Sequence, residues 1–276
     1  MSVEQGTVRN STHDAKIVLR DVRRVFPLRK EKGVTEDFVA LGGVDFEVKN
    51  GEFLAVVGPS GCGKSTLLDI LAGLGHPTSG EVLIDGKVVK GPALDRGIVL
   101  QGYALFPWRT VRQNVEFGLE VKKVPKAKRR EISDRFIRLV GLDEFRDRLP
   151  HELSGGMRQR VALARALAYD PDILLMDEPF AAVDAQTREV LQEELLRIWE
   201  ATRKTVIFVT HSIEEAVFLS DRVVVLSTNP GVVRDIVTVD LPRPRTADVA
   251  RSSEVFTEIR HRVWQLLQSK APEALQ

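Results

Sequence analysis

Two short segments of this sequence carry residue types and spacings suited to holding phosphate. The first is Gly58-Pro59-Ser60-Gly61-Cys62-Gly63-Lys64-Ser65-Thr66, set between the apolar run 53–57 and the helix-like 67–71. Glycines permit the tight curvature that aims successive N–H groups at one anion, and the start of a helix adds its positive end. At this spacing Lys64 reaches the outer phosphates of a nucleoside triphosphate, and the Ser65 hydroxyl suits Mg²⁺. The second segment is Leu153-Ser154-Gly155-Gly156, which opens a helix at 155–167 and forms another anion site from a serine, two glycines and a helix start. One triphosphate site has little use for two such loops unless each serves half of a shared site.

Further polar groups stand where short apolar runs stop. Residues 53–57 end at the glycine loop, 98–100 at Gln101, 173–176 at Asp177-Glu178, and 206–209 at Thr210-His211. Continuous, β-branched-rich runs of this length fit strands buried on both faces, and open parallel α/β sheets place ligands beyond the carboxyl ends of their strands. The pattern predicts Lys64, Gln101, Asp177, Glu178 and His211 along one sheet edge.

The elements that must position these groups follow from the remaining periodicity. Residues 16–26 and 38–48 alternate apolar and polar side chains, as in a half-exposed antiparallel sheet, and 81–89 reads as a hairpin turning at Asp85-Gly86. Between Gln101 and Leu153 the spacing becomes helical, with Gly141 as a stop. Residues 223–226 and 236–239 read as edge strands around Asn229-Pro230-Gly231, and 255–267 as an amphipathic helix started by Ser252 or Ser253 and packed back on the domain. The basic run 122–130 has no interleaved aromatic residues and reads as a solvated face.

Composition narrows the function classes. The 276 residues carry 40 basic and 39 acidic side chains, so no overall field favours nucleic acid. Cys62 is the one cysteine, which rules out an internal disulfide framework and suits a reducing compartment. Residues 1–14 hold no apolar segment of the signal-peptide kind, and no stretch approaches the ~18 apolar residues of a spanning helix. Work at a membrane would require another chain to do the spanning.

The glycine loop, Gln101, Leu153-Ser154-Gly155-Gly156, residues 173–179, Asp184 and His211, in this order, resemble the nucleotide-binding subunits of ATP-binding cassette (ABC) transporters. The resemblance runs over about 16–245. It implies an α/β, P-loop NTPase fold with a central, mostly parallel sheet, an antiparallel β subdomain and an α-helical subdomain inserted at about 102–168. A tail at 1–15 and a helical extension at 246–276 would flank it. It also implies a head-to-tail pair of copies, with ATP between the phosphate loop of one and Ser154, Gly155 and Gly156 of the other. Asp177 would hold Mg²⁺ with Ser65 and Gln101, Glu178 would be the general base, and His211 the switch histidine facing the γ-phosphate. Asp184 would lie in the loop that crosses to the second copy, and Phe26, with Phe38 as competitor, would stack on adenine.

Met157, Val183 and Leu100 stand where the family more often has Gln, Leu and Phe. None of these departures touches Lys64, Asp177, Glu178 or His211. Residues 91–101, Leu105-Phe106-Pro107-Trp108, 227–231 and 240–245 resemble the nitrate, sulfonate, taurine and bicarbonate importer branch. That branch implies transmembrane permease subunits, a periplasmic or extracellular solute-binding protein, a peripheral place on the cytoplasmic face of the membrane, and the 106–108 patch as either a permease dock or core of the helical insertion. The alternative is a cytosolic cassette ATPase not coupled to transport. Two further expectations are a nucleotide that shields Cys62 from thiol reagents and no role for nucleic acid.

Overall fold

The computed structural model describes residues 15–29, 35–181 and 183–268. Residues 1–14 of the expected tail and 269–276 of the expected extension lie outside them. The chain begins with two long antiparallel strands, β1 (Ala15–Arg29) and β2 (Thr35–Lys49), followed by β3 (Phe53–Val57) and helix α1 (Lys64–Ala72). A hairpin of β4 (Ser79–Ile84) and β5 (Lys87–Val88) follows, turning at Asp85 and Gly86, both at positive φ, as a tight primed turn requires. β1 is the spine of the first sheet, whose order is β2-β1-β4-β5.

Next come β6 (Arg96–Val99) and the helices α2 (Val111–Val121), α3 (Lys126–Leu139) and α4 (Gly155–Ala168). Thr110 and Gln113 cap α2 reciprocally, and α3 gives way to Gly141 at φ +66°. These three helices pack on one another as the inserted helical subdomain, and the basic run lies mostly exposed along the start of α3. The chain continues as β7 (Ile173–Asp177), α5 (Ala185–Thr202), β8 (Thr205–Thr210), α6 (Ile213–Leu219), β9 (Arg222–Leu226) and β10 (Val233–Thr238). It closes with α7 (Ala247–Arg251) and α8 (Glu254–Gln268).

The second sheet has six strands in the order β10-β9-β3-β8-β7-β6, parallel throughout except for β10. Its strands read as unbroken apolar runs because each face has its own core. Phe53, Ala55, Leu174, Met176, Val206 and Phe208 pack on the helical side, whereas Leu54, Val56, Ile173, Leu175, Ile207 and Val209 pack against α1 and the first sheet. Each fully buried Val, Ile, Leu or Phe contributes about 1.5–3 kcal/mol.

β9 corrects the expectation of an edge strand. It lies between β3 and β10, parallel to β3, with Val223 and Val225 in one core and Val224 and Leu226 in the other. Of these two strands only β10 is an edge; the other side of β9 pairs with β3, which lies far away in sequence.

The C-terminal segment is bound to the domain. Ser253 caps α8 by accepting from the Phe256 N–H (3.2 Å), and Phe256 and Val263 are buried. The buried Arg245 donates to the carbonyls of Phe218 (2.9 Å) and Ser220 (2.8 Å) where α6 ends. A cation there complements the negative helix end.

Candidate functional site

Because β3, β8, β7 and β6 are parallel neighbours, the residues following them share one edge of the sheet. A cavity of about 340 Å³ opens there, lined by Phe26, Phe38, Ser60, Gly61, Gly63, Lys64, Ser65, Thr66 and Glu178, with Ala40 beside them.

The glycine loop forms its floor. Gly61 and Gly63 adopt φ of +79° and +89°, a region glycine enters without steric cost. A Cβ on Gly63 would also lie 2.6 Å from Leu41 and 2.8 Å from the Ala40 carbonyl, so this position is closed by β2 as well as by its dihedral. α1 starts at Lys64 behind Gly63, which supplies no side-chain cap, so the first N–H groups of the helix are left for a ligand. α2, α4, α5 and α6 are instead capped by Thr110, Ser154, Asp184 and Ser212. The buried Lys64 ammonium donates to the carbonyls of Gly58 (2.8 Å) and Pro59 (3.1 Å).

Cys62 sits behind the loop. It is fully buried, and burial raises its thiol above the ordinary range, with the nearby Lys64 charge pulling the other way. Its side chain belongs to the core between the two sheets, so the protein itself excludes thiol reagents. Shielding by a nucleotide is not needed.

Asp177 ends β7 and Glu178 follows it. Burial raises the Asp177 carboxyl above its usual range; the Ser65 hydroxyl, which donates to it, opposes this, while the charges of Glu178 and Asp69 push it further up. This set of hard oxygen donors with surplus negative charge suits Mg²⁺. Among the described residues no group of three or more His, Cys, Asp or Glu forms a ready-made metal cage, as expected for an ion that draws its remaining ligands from water and phosphate.

Glu178 adopts φ +42°, a conformation rare for residues with a Cβ, and its N–H donates to the Val209 carbonyl (2.9 Å). Its Oε2 lies 3.0 Å from Nδ1 of His211, just past β8. An ionised carboxylate only accepts, so Nδ1 carries the proton in that bond. The ring stands largely in solvent.

Gln101 follows β6 on the same edge and is exposed. Arg165 of α4 holds the loop after it, donating to the carbonyls of Tyr103 (2.9 Å) and Ala104 (2.5 Å), two residues at positive φ. Sequence reasoning missed Arg165, whose one signal was a cation within the apolar run 161–168.

The two aromatic candidates are cross-strand partners, Phe26 on β1 and Phe38 on β2. Both line the cavity, and the Arg24 guanidinium lies 4.5 Å from the Phe26 ring centroid.

Ser154, Gly155, Gly156 and Asp184 do not line this cavity and form a second cluster. Ser154 caps α4 by accepting from the Met157 N–H (3.3 Å), which leaves its hydroxyl proton free to donate. Asp184 caps α5 by accepting from the Thr187 N–H (3.0 Å), which holds its carboxyl below the usual range. The first turns of α4 and α5 pack closely: a Cβ on Gly156 would lie 2.7 Å from the Thr187 methyl.

Comparison with known proteins places this arrangement. Residues 41–181, just over half of the chain, match the family model described as ABC transporter. An uncharacterized ABC transporter ATP-binding protein of Methanocaldococcus jannaschii is 58% identical over 236 residues, covering 86% of this chain and 87% of that protein. The nitrate import ATP-binding protein NrtD of Synechocystis is 46% identical, covering 86% and 90%. The bicarbonate transport ATP-binding protein CmpC of Synechococcus elongatus is 47% identical over 83% of this chain but 34% of its own length. Among solved structures, a dimeric bacterial ABC transporter cassette superposes with a TM-score of 0.72 at 34% identity, covering 82% of this chain and all of that one. The same cassette has been solved in a post-hydrolysis state with ADP and phosphate. The chain belongs to the ABC transporter family, as an ATP-hydrolysing cassette.

Proposed function

We propose that this cassette energises an importer of a small anion, such as nitrate, sulfonate, taurine or bicarbonate, through separate permease subunits at the cytoplasmic face of a membrane. None of the described helices is long and apolar enough to cross a bilayer, so a transporter built on this chain needs membrane-spanning partners. The observation that carries the catalytic part is the Glu178–His211 contact, on the sheet edge that also holds Lys64, Ser65 and Asp177.

In this reading the N–H groups of the glycine loop and of α1 bind the ATP phosphates, and Lys64 exchanges its two loop carbonyls for phosphate oxygens. Ser65 and Asp177, with Gln101, would hold Mg²⁺, which would supply positive charge against the triphosphate. Glu178 takes a proton from the attacking water, and His211 orients the Glu178 carboxylate and faces the γ-phosphate. Phe26 stacks on the adenine, with Phe38 across the strand pair closing the same side.

The Ser154–Gly156 and Asp184 cluster has no partner in the cavity of its own chain. A head-to-tail second copy would bring it there, with the Ser154 hydroxyl donating to the γ-phosphate. NrtD and CmpC, by their names, serve nitrate import and bicarbonate transport, which supports the importer branch.

The loop 106–110 supports a permease dock. Asn114, fully buried, donates to the carbonyls of Phe106, Arg109 and Thr110 and accepts from the Phe106 N–H, so the loop is pre-organised. Phe106 packs on Phe117 at 4.7 Å, yet Trp108 stands 73% exposed at its tip. An aromatic presented on a rigid loop suits a partner surface better than the core of the helical insertion.

The test is co-expression with the permease encoded nearby, followed by reconstitution in vesicles. ATP-dependent uptake of one anion of this class that stops with Glu178→Gln is expected. Full ATPase activity with no permease association would favour the uncoupled cytosolic alternative.

A further inference from the structure

Outside the phosphate-binding set, one buried carboxylate touches the loop that carries His211. Glu215 of α6 is buried, its Oε2 accepting from the buried Thr210 hydroxyl (2.6 Å), while Thr210 Oγ1 accepts from the Ser212 N–H (3.0 Å). Ser212 Oγ in turn accepts from the Glu215 N–H (3.3 Å). His211 therefore sits inside a closed ring of hydrogen bonds that includes Glu215.

The other side of this carboxylate faces α5. Arg188 donates through Nη2 to the Val183 carbonyl (2.7 Å), one residue before Asp184. Its Nε is buried without a hydrogen-bond partner and lies 3.7 Å from Glu215 Oε1. A buried, unpaired donor is costly, and here a displacement of under an ångström would pair it. Burial raises the Glu215 carboxyl above its usual range, against the Thr210 hydrogen bond and the charges of Arg188 and His211. The chain thus keeps a carboxylate in a costly place between two loops of the site.

We propose that Glu215 is a positioning residue for ATP hydrolysis, holding the His211 loop through Thr210 and coupling it to the Asp184 loop through Arg188. Closing the Arg188–Glu215 gap draws the Val183 carbonyl and the Thr210 hydroxyl toward one carboxylate. Movement of the Asp184 loop on assembly is thereby transmitted to the histidine that contacts Glu178. The inference rests on the proposed roles of Glu178, His211 and Asp184.

The experiment measures steady-state MgATP hydrolysis and thermal melting for the full chain and for E215Q, R188Q, the double variant and E178Q. Glutamine keeps the acceptor for Thr210 but removes the charge that attracts Arg188, so E215Q folds without an unpaired buried charge. The expected result is a fall in kcat of about tenfold for E215Q and for R188Q with KM close to that of the wild type, and a melting temperature unchanged in E215Q but lowered in R188Q, which leaves the buried Glu215 carboxylate without its cation. The double variant should be no slower than the slower single, because both remove one coupling.

Wild-type kcat in E215Q, or multiplied losses in the double variant, would overturn the coupling. A kcat loss in E215Q matched by a large drop in its melting temperature overturns it too, leaving Glu215 a packing residue. E178Q separates the two levels: an E178Q variant that still turns over defeats the reading of the site, whereas an inactive E178Q beside a normal E215Q defeats this inference alone.

Discussion

Glu178 and His211 lie 33 positions apart in sequence, yet Oε2 of one is 3.0 Å from Nδ1 of the other. Two parallel strands make this contact: β7 and β8 are neighbours in register, with Asp177 opposite Val209, so the residues after each strand meet. The Glu178 N–H bonded to the Val209 carbonyl continues the pairing one step past β7. The bond to His211 therefore orients the Glu178 carboxylate.

Replacing Glu178 with Gln keeps the shape and removes the proposed base. Phosphate release should fall by roughly 10²–10⁴-fold, the usual worth of a positioned general base, while MgATP binding persists. Size-exclusion chromatography with MgATP should show an ATP-bridged dimer of the variant, and undiminished phosphate release would refute the role. His211→Ala should also slow hydrolysis, by more than it alters KM, since it frees the carboxylate without touching the phosphate floor.

Asp177 gives a stability prediction with a definite sign. Its folded carboxyl is raised, so the folded state favours the protonated form, and ionisation at neutral pH works against folding. The contribution to stability is present below the unfolded carboxylate value and is lost as pH rises through the folded one. Asp177→Asn should therefore melt higher than the wild type at pH 7.5 without nucleotide, and the advantage should shrink on acidification. The same variant should lose Mg²⁺-dependent hydrolysis, a trade of stability for function. Paired calorimetric scans at the two pH values decide it.

The glycines of the phosphate loop should not respond equally. Gly61→Ala meets nothing within 4 Å and pays for its positive φ alone, about 1–2 kcal/mol. Gly63→Ala adds close contacts with Leu41 and the Ala40 carbonyl and should cost more, displacing β2 from the mouth of the site. Urea titration of both variants gives the comparison, and equal midpoints would count against the close approach of β2.

Cys62 should react slowly with a water-soluble thiol reagent whether or not MgATP is present, and rapidly in denaturant. Its complete burial and raised thiol both suppress the thiolate at the surface. Fast labelling of the folded chain, timed by mass spectrometry, would show that the side chain faces the cavity instead.

Much of the fold was legible in local pattern. Alternation marked the first sheet, unbroken apolar runs marked the second, and Asp85-Gly86 marked a hairpin turn that the backbone makes at positive φ. β9 was misjudged because the Asn229-Pro230-Gly231 turn marks only its pairing with β10; its unbroken apolar run matched the doubly buried strands, but no local feature states that β3 flanks its other side. α7 left too short a repeat to register, with five residues. Arg165 was missed because it acts on backbone carbonyls far along the chain, and Glu215 because its burial and the approach of Arg188 come from packing of another helix; a lone charge in a helix pattern reads as solvated.

The amino-acid order alone specified the glycine loop, the polar residues that end the strands, and their common sheet edge, because loop curvature and strand burial are written in neighbouring residues. Folding settled the matters that depend on distant partners. It set Phe26 and Phe38 side by side, turned Cys62 into the core, joined His211 to Glu178, and packed the first turns of α4 and α5 together but away from the Lys64 cavity. Parallel strands pair through long crossovers, so the chain must close before these side chains can meet.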